Sequence, residues 1–92
     1  MAVRMYKVLE EHLFEVEGLD FMVKGRISHS DQLPPEVGGY YWEISHFYKP
    51  TEGATGPYYP SVRNGKILEA ARQGLFFYAK SFRNIGVVAA KY

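Results

Sequence analysis

Two short segments combine side chains used in hydrolytic catalysis. His29-Ser30-Asp31 has the composition of a serine hydrolase triad, and Ser45-His46 places a hydroxyl next to an imidazole. Triad chemistry requires its groups to converge in space. Neighbouring residues of a strand point to opposite faces of the sheet, so neither segment is expected to form a catalytic unit. With no paired acid and base elsewhere, the sequence predicts a protein that is not an enzyme.

Histidine is the other candidate for chemistry, because three imidazoles could bind a metal ion. Pairing successive strands separates the three: His12 is expected opposite Gly25, His29 near Tyr41, and His46 near Lys24. A zinc site needs its ligands about 2.0–2.3 Å from one ion. We therefore predict no metal site.

A Gly-x-x-Gly segment, Gly53 to Gly56, has the spacing of a phosphate-binding loop. Such loops open into a helix that carries Lys and Ser or Thr. Here Pro57-Tyr58-Tyr59 follows instead. The segment is expected to be a flexible loop, and no cofactor is predicted.

Aromatic side chains are concentrated between Tyr40 and Ser61, a stretch with the only Trp and five of the eight Tyr. One group is expected in the core together with other apolar residues: Phe21, Val23, Trp42, Ile44, Leu75 and Phe82. A second group is expected to be available for contact with a partner: Tyr41, Phe47, Tyr58 and Tyr59. Tyrosine supplies rigid, amphipathic area of the kind found at interface hot spots, and its ring can also stack on bases.

Alternating apolar and polar residues predict an antiparallel meander that positions these side chains. Residues 12–29 form a hairpin around Gly18-Leu19, residues 30–39 a loop, and residues 40–48 the third strand. Residues 2–13 fit both an amphipathic helix and a strand, with a slight preference for a strand. Residues 49–61 form a second loop, in which Tyr58-Tyr59 could add a short edge strand. Gly25 lies on the apolar face and predicts a bend, a bulge or a close neighbour.

Residues 66–83 have helical periodicity. The apolar stripe consists of Ile67, Ala71, Leu75, Tyr78, Ala79 and Phe82. The opposite side carries Glu69, Arg72, Gln73, Phe76, Lys80 and Arg83. Gly74 is expected to permit close packing on the sheet, and Asn64 to form a turn or cap the helix. Asn84 or Gly86 is expected to end it, before a short strand within residues 86–92.

These elements define a single α+β domain over residues 1–92: an antiparallel sheet of three to five strands with one long helix on its apolar face. Hydrophobic residues make up 47% and charged residues 23%, as in a folded soluble protein. The chain has no cysteine, no apolar run of about 18–20 residues, and no signal-peptide core at its start. A reducing compartment and no membrane partner are expected.

Charge is unevenly distributed along the chain. Residues 1–46 carry a net charge of −4, and residues 47–92 carry +5. A dipolar surface of this kind has one face suited to an acidic partner, although ordinary surface variation would produce the same pattern. The candidate partner-binding residues are Tyr41, Phe47, Lys49, Tyr58, Tyr59, Arg63, Lys66, Arg72, Lys80 and Arg83.

Two segments, Trp42 to Tyr48 and Gly56 to Ser61, resemble small phage- and prophage-encoded proteins, a group that includes anti-CRISPR inhibitors. The resemblance covers about a third of the chain and carries over no functional residues. It implies a non-enzymatic inhibitor that docks on a bacterial nucleoprotein complex, in the host cytoplasm, and blocks binding of the nucleic-acid target.

The order of strands before the helix also resembles double-stranded-RNA-binding and integrase-type modules. The chain departs from the RNA-binding pattern at the start of the helix, where Lys66 is the only lysine and Glu69 follows. The alternative hypothesis is therefore direct nucleic-acid binding by aromatic and basic residues of the 58–83 region. A third reading, a small enzyme with an aromatic pocket near Glu43 and His46, would require a deep polar pocket there.

Overall fold

The computed structural model describes residues 3–34, 36–60, 62–83, 85–88 and 92. Within these ranges the chain forms an α+β fold, as predicted. Six strands and one helix follow in order: β1 (Lys7–Glu15), β2 (Met22–His29), β3 (Tyr40–Ile44), β4 (His46–Tyr48), β5 (Asn64–Gly65), α1 (Leu68–Lys80) and β6 (Gly86–Val88).

The first three strands form the predicted meander. β1 and β2 pair antiparallel with His12 opposite Gly25, as expected, and Gly18 takes the turn with a φ of 94°. β3 pairs with the other edge of β2, and the two-residue β5 completes the sheet in the order β1-β2-β3-β5. His29 lies opposite Tyr40, one residue from the predicted position. Of the ambiguous residues 2–13, the part from Lys7 onward is strand.

Helix α1 covers one face of this sheet. The core consists of Val23, Ile27, Trp42, Ile44, Ala71, Leu75, Tyr78, Ala79 and Phe82. Two glycines allow the close approach. A Cβ on Gly74 would lie 2.7 Å from Trp42 Nε1, and a Cβ on Gly25 would lie 2.8 Å from Leu75 Cδ1. Real Cβ contacts are not this short, so both glycines set the distance between helix and sheet, as predicted.

The prediction of a single strand over residues 40–48 is wrong. The strand ends at Ile44, and β4 pairs antiparallel with β6 in a separate two-stranded sheet. Ser45 makes the break, because its N–H donates to Lys24 O (2.8 Å) and its Oγ accepts from Lys24 N–H (2.8 Å). These two bonds fix Ser45 against β2 while the chain turns away from the larger sheet.

The predicted helix was too long at both ends. Ile67 is the N-cap, with extended backbone, and its side chain is exposed, so it is not part of the buried stripe. Asn64 neither forms a turn nor caps the helix, because it lies in β5 and pairs with Tyr41 of β3. The helix ends at Lys80 with Ser81 as C-cap, and Gly86 belongs to β6.

Three further predictions concern the last strand, Phe21 and the membrane. Asn84 lies outside the described residues, as do 89–91 of the predicted last strand. Phe21, expected in the core, is partly exposed and stacks on His46 with ring centroids 4.5 Å apart. No helix in the described ranges has the length and apolar character to cross a membrane.

Candidate partner-binding surface

The hydroxyl of Tyr78 organises the flank of α1 that faces the loop of residues 49–62. It accepts a hydrogen bond from Tyr48 N–H (3.3 Å) and donates one to the carbonyl oxygen of Tyr58. Tyr58 N–H in turn donates to Tyr48 O (2.8 Å). Burial raises the pKa of Tyr78 to about 12, which keeps the phenol protonated and able to donate. The long loop is thus fastened to the helix by one side chain, without the predicted strand at Tyr58-Tyr59.

Aromatic rings continue this connection from the core to the surface. The ring of Tyr78 lies 5.8 Å from Trp42, 5.0 Å from Tyr48 and 5.8 Å from Phe82, measured between centroids. Tyr58 stacks on Tyr48 at 5.4 Å with an interplanar angle of 25°. Offset and edge-on pairs at such distances add to the free energy gained by burial. Tyr58 therefore rests on a fixed aromatic base.

A cavity of about 230 Å³ opens between this loop and α1, and we call it the aromatic groove. It is lined by Trp42, Tyr48, Tyr58, Pro60, Val62, Gly74, Phe77, Tyr78 and Ser81. Its floor, formed by Trp42 and Tyr78, is buried, whereas Phe77 is 77% exposed and Tyr58 54% exposed. Val62 is also exposed. Apolar area that remains in water beside a shaped cavity is typical of a binding surface.

Of the exposed residues that line the groove, Tyr58 was a predicted contact, whereas Phe77 and Val62 were not. A signal for Phe77 was present in the helical pattern. Phe76 and Phe77 are adjacent, and neighbours on a helix lie about 100° apart, so only one can approach the core. Phe77 lies two residues beyond the fully buried Leu75, close to the opposite side of the helix. Val62 carries no comparable signal, because its exposure depends on the path of the loop.

A second cluster joins Phe47, Tyr59 and Arg63. The rings of Phe47 and Tyr59 meet edge-on with centroids 5.0 Å apart, and the Arg63 guanidinium lies 5.4 Å from the Phe47 ring. Phe47 is half-buried and packs against the core, so it is less available for contact than predicted. Tyr59 is 61% exposed. The expectation of a buried Trp42 with an exposed Tyr58 or Tyr59 is confirmed.

The other flank of α1 faces β1 and carries an ion pair. Arg72 Nε lies 2.9 Å from both carboxylate oxygens of Glu10, and Arg72 also contacts Glu69 at 3.4 Å. Hydrogen bonds from Arg72 and His12 lower the pKa of Glu10 to about 2. Arg72, expected on the side of the helix opposite the apolar stripe and among the candidate contacts, is thus paired with a carboxylate on the sheet.

Phe76 also belongs to this flank and not to a solvated outer stripe. Its ring meets His12 edge-on at 4.9 Å and Phe14 at 6.0 Å. The side chains of Phe76 and Phe14 are half-buried and pack against the core. Phe76 therefore packs between helix and sheet.

The remaining predicted contacts are dispersed. Three of them are exposed: Lys66 precedes α1, Lys80 is its last residue, and Arg83 follows it. Lys49 is half-buried. Tyr41 lies on the face of the sheet away from the helix, where its ring is 6.4 Å from Tyr6. The structure thus brings Tyr58 together with the groove and Tyr59 with Arg63 and Phe47, but it does not gather all ten predicted residues into one surface.

The expectation that the side chains of Ser45 and His46 point to opposite faces of a strand is wrong. Ser45 Oγ lies 2.8 Å from His46 Nδ1, because the chain leaves the sheet at Ser45. Since Ser45 Oγ accepts from Lys24 N–H, its proton is directed to His46 Nδ1. Burial lowers the pKa of His46, which favours the neutral ring that accepts this bond. The pair fixes the strand break.

His12, His29 and His46 lie on three different strands. Across the described ranges, no three His, Cys, Asp or Glu side chains are placed to hold a metal ion. No family model matches the sequence, and comparison with curated proteins and with solved structures found no match for the chain.

Proposed function

We propose that this chain is a non-enzymatic interaction protein that binds a macromolecular partner through the aromatic groove. The observation that supports the proposal best is the exposure of Phe77, Tyr58 and Val62 around one cavity. Aromatic anchors that surround a pocket supply most of the free energy of many protein interfaces.

The loop that carries Tyr58 also loses little conformational entropy on binding. The backbone of Tyr58 is held by Tyr48 and by the hydroxyl of Tyr78, and its ring is stacked on Tyr48. Ordering of loops and side chains costs free energy on association, so an anchored loop binds more tightly than a mobile one. The loop is thus preorganised for contact.

The resemblance to anti-CRISPR inhibitors suggests the class of partner. We propose that the chain docks on a bacterial nucleoprotein complex and prevents it from binding its nucleic-acid target. The test is a comparative pull-down from bacterial lysate, with quantitative mass spectrometry, of the wild type, Phe77→Ser with Val62→Ser, and a control with Met5→Ser and Val37→Ser. All four positions are exposed, and the control residues lie away from the groove.

We expect one nucleoprotein complex to be captured by the wild type and the control but lost by the groove variant. The purified complex should then shift a labelled nucleic-acid target less when the wild-type chain is added. Capture that is equal for all three proteins, or a complex that binds its target unchanged, contradicts the proposal.

A second candidate function is direct nucleic-acid binding, which the cluster of Phe47, Tyr59 and Arg63 favours. The exposed ring can stack on a base while the neighbouring guanidinium contacts a phosphate. The pairing of Arg72 with Glu10 removes one cation from this hypothesis. An electrophoretic shift with single-stranded DNA and RNA at low salt tests it. Binding should weaken steeply with added salt and with Tyr59→Ala, and the absence of any shift eliminates this function.

A further inference from the structure

Within the described residues, strand β1 has an unpaired outer edge. It pairs with β2 on one side and with no described strand on the other, and the described backbone–backbone hydrogen bonds include none to that outer edge. From Glu10 to Glu15 the pairing with β2 is regular, and the register shifts between Val8 and Glu10. Glu10–Glu15 therefore forms a regular six-residue edge, which ends at the register shift beside Leu9.

An apolar cavity runs beside this edge on the helix side. It has a volume of about 480 Å³, and its walls include Phe14 and Val16 from the β1 end and Phe76 and Ala79 from α1, with His12, Leu13 and Glu15 along the strand. Lys80 lies at its rim. A strand added to β1 would direct every second side chain toward this cavity, because successive side chains of a strand alternate between the two faces.

On the opposite face, the outermost charges of this edge are acidic, whereas Lys24 and Arg26 lie one strand further in, on β2. Glu11 and Glu15 are exposed there on either side of Leu13, which is 62% exposed, and the exposed Glu17 follows the strand. Two copies of β1 placed edge to edge would bring these carboxylates together, and like charges across strands are destabilising. The acidic row thus disfavours self-pairing and favours a cationic strand.

We propose that Glu10–Glu15 of β1 binds an extended, basic peptide segment of a partner protein by adding it to the sheet. Its apolar side chains would enter the cavity beside Phe14 and Phe76, and its alternate Lys or Arg side chains would face Glu11 and Glu15. In this mode main-chain hydrogen bonds provide affinity and alternate side chains provide specificity. The surface is separate from the aromatic groove and does not depend on the function proposed for it.

The test measures fluorescence polarisation of a labelled peptide made of three lysine–valine pairs. Two control peptides carry glutamate in place of lysine, or proline in place of the central valine. The protein variants are Glu11→Lys with Glu15→Lys and, as a matched control, Glu36→Lys with Glu52→Lys. All four carboxylates are exposed, and circular dichroism checks that each variant is folded.

We expect the lysine–valine peptide to bind the wild type and the matched control. Binding to the edge variant should weaken about tenfold or more, because two attractive contacts become repulsive. The glutamate and proline peptides should not bind. Amide shifts in nuclear magnetic resonance spectra should be concentrated at Glu10–Glu15 and near Phe76.

Four results would each overturn this proposal. They are no binding of the lysine–valine peptide, equal binding of the proline peptide, equal binding by the two charge-reversed proteins, and a β1-paired dimer in light scattering that the peptide does not displace. The last would show that a second copy, and not a basic peptide, occupies the edge.

Discussion

The two flanks of α1 are built on different physical principles. Toward β1, the helix is joined to the sheet by ion pairs of Arg72 with Glu10 and by the half-buried ring of Phe76. Toward the loop, it is joined by glycine-to-indole packing and by one buried phenol, Tyr78. Charge contacts at a partly exposed site are weakened by water and salt, whereas close packing is not. The loop flank should therefore contribute most to stability, although it also carries the exposed apolar groove.

Gly74→Val, on the loop flank, should cause the largest loss of stability. A Cβ at this position meets Trp42 Nε1 at 2.7 Å, and Trp42 is a core residue with 3% exposure, so the indole must shift from its packed position. We expect a loss of about 2–3 kcal/mol in the free energy of unfolding, measured by urea denaturation. Gln73→Val on the exposed neighbouring position is the control and should cost less than about 1 kcal/mol. Equal losses for the two variants would show that packing on Trp42 does not set the position of the helix.

Tyr78→Phe should have the next largest effect. The substitution keeps the ring but removes the hydroxyl that joins Tyr48 N–H to the carbonyl of Tyr58. We expect a loss of about 1–2 kcal/mol, because two backbone groups lose their partner. Hydrogen exchange should become faster at Tyr48 and Tyr58. Tyr59→Phe, at a mostly exposed ring, is the control, and a similar loss there would mean that the loop is not fastened through Tyr78.

Glu10→Gln should have the smallest effect at neutral pH and a distinct pH dependence. The pKa of Glu10 is lowered from 4.5 to about 2, chiefly by its hydrogen bonds with Arg72. A carboxyl group with a lowered folded-state pKa stabilises the fold above its unfolded pKa, and this contribution is lost as the pH falls. The wild type should therefore be more stable than Glu10→Gln above about pH 4.5, and the difference should disappear as the pH falls toward 2.

Thermal unfolding in a pH series, repeated at high salt, measures this difference. Glu17→Gln, at an exposed carboxylate, serves as the control for the loss of one surface charge. If the difference in stability between the wild type and Glu10→Gln does not depend on pH or salt, the ion pair does not distinguish this flank from the loop flank.

The sequence predicted the features that depend on local pattern. Alternation located the hairpin and its register, and helical periodicity located Ala71, Leu75 and Phe82 in the core. Glycines at positions 25 and 74 indicated close packing because they interrupt otherwise regular elements.

What was missed depends on contacts between distant residues. Arg72 and Glu10 are 62 positions apart, so no helical spacing reveals that the arginine is paired. The strand break at Ser45 depends on two hydrogen bonds with Lys24, and an alternating pattern continues through it. The identity of the candidate partner remains a proposal for the same reason: exposed rings define a surface without specifying what covers it.

The order of the strands along the chain bears on synthesis. Residues 7–44 contain β1, β2 and β3, which can pair once they leave the ribosome, before α1 has been made. The side chains of Val23, Ile27, Trp42 and Ile44 face the helix in the finished protein. Until roughly forty further residues have emerged, at about 5–20 residues per second, the nascent sheet displays this apolar face to solvent. The interval of a few seconds is when the chain is most open to chaperone capture or aggregation.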